Sequence, residues 1–173
     1  GGPMQRTLWL IRHAQAQNVQ GIRQTDAQRQ LTSQGLANVE QLQAHLQNHS
    51  DPPAQWLWVS PATRTQQTAQ PLAAVWQAEI ISEPTLYLAR ADTILDCLKG
   101  TPDHCESCAV VGHNPGISDL AHLLNKAGQT QTDYFNLPTL GMIRLSFTGS
   151  WHDLRPASCE QQGCWQPQPE DHK

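Results

Sequence analysis

The sequence predicts a three-layer α/β fold in which helices cover both faces of a mostly parallel central sheet. Two observations carry this. The length of 173 residues suits one compact domain and leaves no room for two. Short runs rich in branched or aromatic residues also alternate with segments of helical period, the pattern of strands joined by crossover helices.

In chain order, residues 7–11, 55–59, 79–82 and 109–112 are apolar runs too short for helices and read as strands, and a fifth run, 142–147, follows Gly141. Leu36, Val39, Leu42 and Leu46 lie at helical spacing and make one apolar stripe, with Thr32 or Ser33 as the cap. A second helix is expected over 62–77, opened by Ser60-Pro61 and kinked at Pro71. A third is expected over 92–99, capped by Asp92 and stopped by Gly100. The fourth covers 117–126, with Leu120, Leu123 and Leu124 inward and Gly128 ending it. Beyond Gly149 the pattern weakens, and 151–155 with 164–166 are expected to add an edge hairpin. Residues 4–166 read as one domain, 1–3 as a cloning remnant ahead of the native start at Met4, and the Pro-rich 167–173 as a flexible tail.

Composition narrows the function. Charged residues are only 15% of the chain and the net charge is -4, which argues against a general nucleic-acid binder or a polybasic membrane binder. The polar surface is largely amide, with 22 Gln spread along the chain. The longest apolar run, 8–11, is far too short to span a bilayer and no signal segment opens the chain, so a cytoplasmic monomer is expected. Five cysteines without a secretion signal read as reduced thiols. Cys105 and Cys108 have zinc-knuckle spacing, and Cys159 with Cys164 would complete four ligands. The second spacing is loose and Cys108 runs into a strand, so no metal is assigned. Trp9, Trp56 and Trp58 lie on strands and are expected to pack under the helices.

In an open parallel sheet the ligand crevice lies beyond the carboxyl ends of the strands. Three motifs fall there: Arg12-His13-Ala14 after the first strand, Ser60-Pro61-Ala62-Thr63-Arg64 after the second, and Gly112-His113-Asn114-Pro115-Gly116 after the fourth. Each is unremarkable alone, since Asn, Pro and Gly form turns and Arg64 could be a solvated helix residue. Together they bring two guanidinium groups and two imidazoles to one edge, a pocket for a compact dianion. Arginine offers forked donors to phosphate oxygens, and histidine serves as nucleophile or proton carrier near neutral pH. The helix after Ser60 also points its amino end at this mouth. Phosphoryl transfer asks for this set, and it needs neither metal nor other cofactor.

These motifs, with Thr68-Ala69 following the second, resemble the histidine phosphatase superfamily, to which the cofactor-independent phosphoglycerate mutases belong. Within it the chain is most similar to the short SixA-type phosphohistidine phosphatases. They share Ala after the catalytic His, a segment like Asp26-Ala27-Gln28-Arg29-Gln30-Leu31-Thr32 with Gly35 beyond it, and a stretch like Leu86-Tyr87-Leu88-Ala89. The resemblance covers about residues 7–147 and implies a phosphoglycerate mutase-like fold without a helical cap. It implies that His13 is the nucleophile, forming a transient phosphohistidine, while Arg12, Arg64 and His113 clamp the transferring group. Arg29 is placed over the site by the same resemblance, with a salt bridge to Asp26 as the competing reading, and Asn18 in the same loop is a further substrate-binding candidate.

The residues themselves ask that His13 attack as neutral imidazole, its other ring nitrogen donating to a backbone carbonyl. Without a cap the site is expected to be open and shallow. That suits a phosphohistidine-bearing protein, such as a histidine phosphotransfer domain, better than a buried sugar phosphate. Glu83, Asp92 and Asp26 are the candidate acids, and Gln15 stands where the family commonly has Glu. Two alternatives stay open: a small-molecule phosphomonoesterase of the same superfamily, and a non-catalytic phosphoprotein-binding module.

Overall fold

The computed structural model describes residues 4–127 and 136–169. Six strands form one sheet in the order β3-β2-β4-β1-β5-β6. They are β1 (Gln5–Arg12), β2 (Trp56–Val59), β3 (Glu79–Ser82), β4 (Ser107–Gly112), β5 (Met142–Thr148) and β6 (Glu160–Trp165). The first four run parallel, while β5 and β6 are antiparallel to their neighbours. Four helices cover the faces: α1 (Ser33–Gln47), α2 (Thr63–Trp76), α3 (Ala91–Lys99) and α4 (Gly116–Leu124).

Strand periodicity of two divides the core. On β1, Leu8 and Leu10 pack with Ile94 and Leu98 of α3 and with Ile117, Leu120 and Leu124 of α4. Trp9 and Ile11 point the other way, towards Val39 and Leu42 of α1 and Ala69, Leu72 and Trp76 of α2. Every side chain of β4 is buried, as expected of a central parallel strand with helices on both sides. Trp9 lies in the core, and Trp56 and Trp58 pack against it partly buried.

Several local expectations need correction. Leu36 is half exposed, and the buried face of α1 is Gly35, Asn38, Val39 and Leu42. Gly35 explains the difference: a Cβ there would collide with the Gln15 carbonyl, so the first turn of α1 sits flush on the chain just past His13, and that contact sets the helix's rotation. Thr32 is the cap, its hydroxyl accepting from Gly35 N at 2.9 Å. Helix α2 starts at Thr63 with Ala62 as cap, so Ser60-Pro61 precede it, and it continues through Pro71 to Trp76. Arg90 occupies the cap position of α3 and Asp92 lies inside the first turn. Helix α4 ends at Leu124 with Asn125 as its cap, and Gly128 lies outside the described residues.

The carboxyl-terminal hairpin also differs. Trp151–Asp153 is a short 3-10 turn, its Trp151 fully buried with the indole N–H donating to the Cys105 carbonyl at 2.7 Å, and β6 pairs with β5 instead. Of the expected tail, Gln168 N donates to Gln41 Oε1 on α1, and 170–173 lie outside the described residues, as do 1–3. Among the described residues no helix is long and apolar enough to cross a membrane, and no group of three His, Cys, Asp or Glu is arranged to hold a metal ion.

Candidate active site

Sheet register brings the three motifs together. Arg12 of β1 is level with Gly112 of β4, so His13 and His113 leave neighbouring parallel strands side by side, tied by His13 N donating to Gly112 O at 3.1 Å. Val59 of β2 is level with Val111, which sets Ser60 on the other flank of His113. The imidazole centroids of His13 and His113 are 5.5 Å apart in an edge-on arrangement.

His13 is fixed from several directions. Its Nδ1 lies 2.7 Å from the Ala14 carbonyl, an acceptor only, so Nδ1 carries the proton and Nε2 is left with its lone pair. Ala14 N donates to Thr68 Oγ1 at 3.0 Å, and that hydroxyl donates to Arg64 O at 2.8 Å, so α2 holds the chain directly behind the imidazole. Burial pushes the His13 pKa down to about 4, with the charges of Arg64, Arg12 and Arg29 acting in the same direction against the Ala14 hydrogen bond. The ring is neutral near pH 7.

His113 is likewise neutral, pushed down to about 3 by burial and then by Arg64. Arg64 Nη2 approaches its Nδ1 at 3.4 Å, so Nδ1 is the acceptor and the Nε2 hydrogen goes to Ser60 Oγ at 2.8 Å. Asn114 fastens the start of α4, its Oδ1 accepting from Ser118 N at 3.1 Å. Asn114 Nδ2 donates to Leu137 O at 2.9 Å, and the same carbonyl accepts from Arg12 Nη1 at 3.0 Å.

The two arginines share an unusual feature. Arg12 Nε and Arg64 Nε are buried with no hydrogen-bond partner among the described residues. A cationic donor buried without an acceptor is costly, and an oxyanion is the kind of group that would satisfy it; Trp9 Nε1, Trp56 Nε1 and Ser107 Oγ are also unpartnered but carry no charge. Burial also lowers the pKa of Arg12.

Around this centre the structure separates the remaining candidates. Arg29 answers to both expectations at once: its Nη1 pairs with Asp26 Oδ1 at 2.9 Å, and its charge still bears on both imidazoles. Asn18 is exposed, and its carbonyl accepts from Gln20 Nε2. Gln15 accepts from the Thr32 hydroxyl at 2.7 Å and so serves the start of α1. Glu83 caps Thr85 N, and Asp92 pairs with Arg90 and accepts from Thr93 N. The central side chains are largely buried, His13 9%, His113 3% and Arg64 2% exposed. Arg29 Nε donates to Gln17 O at 2.6 Å and Arg64 binds Asp26, which draws this loop over the clamp.

Asp26 and Tyr87 are the groups that sequence reasoning undervalued. The Asp26 carboxylate accepts from Arg29, Arg64 and the Tyr87 hydroxyl, and these donors, Tyr87 foremost, hold it well below the usual carboxylate range. It is ionised near neutral pH and cannot serve there as a proton donor. Desolvation acts on the thiols instead: it raises half-buried Cys97 to about 12 and buried Cys159 to about 11, and raises Cys105 and Cys108 as well, keeping them protonated near neutral pH.

Comparison with known proteins agrees with this geometry. The model of the histidine phosphatase superfamily (branch 1) matches residues 8–87. A structure from Nakamurella multipartitia, provisionally named a phosphohistidine phosphatase SixA, superposes with a TM-score of 0.80 at 27% identity, covering 96% of this chain and 99% of that one. One from Agrobacterium tumefaciens with the same provisional name gives 0.74 at 22%, covering 94% and 99%. The protein histidine phosphatase SixA complexed with tungstate gives 0.74 at 17%, covering 93% and 97%. No curated protein sequence matches the chain.

Proposed function

We propose that the chain is a phosphatase of the histidine phosphatase superfamily and that it hydrolyses phosphohistidine on a protein, through a phosphoryl intermediate on His13. The observation that carries the reading is the pair of buried, unpartnered Nε donors of Arg12 and Arg64 beside a neutral imidazole whose Nδ1 is already committed. His13 Nε2 attacks phosphorus, the P–N bond of the substrate breaks, and the departing imidazole takes a proton from water. Water then attacks the phosphoryl group on His13, the P–Nε2 bond breaks, and phosphate leaves with His13 neutral again. Arg12, Arg64 and His113 line the path of the transferring oxygens, where charge and donors in a dry site lower the barrier most. No metal takes part in these steps.

A phosphoramidate is favoured over an ester by the proton inventory. Imidazole leaves phosphorus more readily than an alkoxide, so no strong acid is required. Of the three candidate carboxyl groups, Asp26 is held ionised, Glu83 accepts from Thr85 N, and Asp92 pairs with Arg90. The proposed partner is a histidine phosphotransfer domain, in keeping with the tungstate complex of the related protein histidine phosphatase.

The test is phosphate release from a phosphohistidine-bearing phosphotransfer domain in EDTA, wild type beside His13→Ala, with a phosphomonoester as comparator. Fast release by wild type alone, with the ester poor, is expected. Equal release by both proteins removes His13 as nucleophile. An inert phosphohistidine with a hydrolysed ester replaces the reading with a small-molecule phosphatase.

A further inference from the structure

Three side chains hang on one carboxylate at the edge of the clamp. Asp26 Oδ2 accepts from Arg64 Nη2 at 3.0 Å and from the Tyr87 hydroxyl, and Oδ1 accepts from Arg29 Nη1 at 2.9 Å. The Asp26 carbonyl accepts from Arg64 Nη1 at 2.9 Å. Both terminal nitrogens of Arg64 therefore donate to Asp26, Nη2 approaching His113 Nδ1 as well, and its Nε is the nitrogen without a partner among the described residues.

On charge alone a carboxylate is misplaced here, because it repels the dianion the arginines would attract. Its geometry gives it another use. We propose that Asp26, locked by the Tyr87 hydroxyl, is a positioning residue that sets the guanidinium plane of Arg64 and so aims the Nε–H at the transferring phosphoryl group. The inference rests on reading the site as a phosphoryl-transfer centre. It has a signature that a merely structural role lacks. Removing the negative charge strengthens the general attraction for a tetrahedral oxyanion, while loss of alignment weakens the five-coordinate arrangement reached only during transfer.

The experiment compares full-length wild type, Asp26→Asn and Tyr87→Phe. Its readouts are kcat and KM on the phosphohistidine-bearing domain, dissociation constants for tungstate and for vanadate, which becomes five-coordinate on a nucleophile, and thermal melting as a check on folding. Asp26→Asn is expected to lower kcat and vanadate affinity each on the order of a hundredfold while tungstate binds as well or better. Tyr87→Phe keeps the charge and is expected to lower kcat by roughly three- to tenfold, with tungstate affinity unchanged. Wild-type kcat in both variants overturns the inference, as does a parallel weakening of both anions. Because Tyr87→Phe removes a single oxygen, it decides the matter even if Asp26→Asn does not fold. A wild type that neither binds tungstate nor releases phosphate refutes the phosphoryl-transfer reading itself, a different outcome from active wild type with unchanged variants.

Discussion

The two ends of β1 each carry an arginine, and they are finished in opposite ways. At the amino end Arg6, 4% exposed, has its donors consumed by the fold. Its Nε donates to Gly149 O at 2.9 Å, Nη1 to Asp103 O and Cys105 O at 2.8 Å, and the guanidinium lies over the Trp151 ring. At the carboxyl end Arg12 makes one hydrogen bond, to Leu137 O, and its buried Nε has no partner among the described residues. The same side chain on the same strand thus does two jobs. Arg6 is buried and Arg12 half-buried, and what sets Arg12 apart is a cationic donor left unmatched, a costlier omission than the neutral Trp9 or Trp56 N–H that the core also leaves unpaired.

The comparison is broken most severely by truncating each kind of arginine. Arg12→Ala is expected to lower kcat on the order of a hundredfold or more with little change in thermal stability, and Arg64→Ala to lower kcat as much while also loosening the Asp26 loop that its terminal nitrogens hold. Steady-state kinetics with parallel melting curves decide it. Arg6→Ala should reverse the pattern. It strands three carbonyls and unpacks Trp151, so chemical denaturation should show a loss of about 2–4 kcal/mol while activity per folded molecule stays within about twofold.

Acid titration sharpens the contrast further. His13 and His113 have folded-state pKa values of about 4 and about 3, below the ordinary 6.5. The unfolded chain therefore binds more protons in that interval. Their contribution to stability is full above about pH 6.5 and is lost as the pH falls towards 4. Catalysis by folded protein should not follow the same curve, because His13 stays neutral well below 6.5. A fall in kcat/KM centred near 6.5, after correction for substrate ionisation, would contradict this assignment of the nucleophile. The smallest effect is expected at Asn18, exposed on the loop, where Asn18→Ala should leave kcat/KM within about twofold.

Local pattern made most of this architecture legible, and long-range placement accounts for the rest. The strand at Glu79–Ser82 is where its branched residues put it, and alternation of strand and helix was enough to send three motifs to one edge. The rotation of α1 was not legible. Leu36 belongs to the apolar stripe by spacing, yet the close seating of Gly35 on Gln15 turns it outward. Arg12 was marked by its place beside His13, but the structural role of Arg6 was not legible, since the carbonyls that saturate it come from residues 103, 105 and 149. Asp26 was visible as a candidate acid and as a partner for Arg29. Its bonds to Arg64 and Tyr87 span 38 and 61 residues and exist only once the chain is folded.

The central claim is that His13 Nε2 takes the phosphoryl group. The most direct measurement is a rapid acid-free quench of wild type mixed with a phosphohistidine-labelled phosphotransfer domain, followed by mass-spectrometric location of the label. The account predicts a transient, acid-labile and alkali-stable phosphoryl group on His13, formed before free phosphate appears. Phosphate released in a single turnover with His13 unlabelled, or with the label on another side chain, would contradict it.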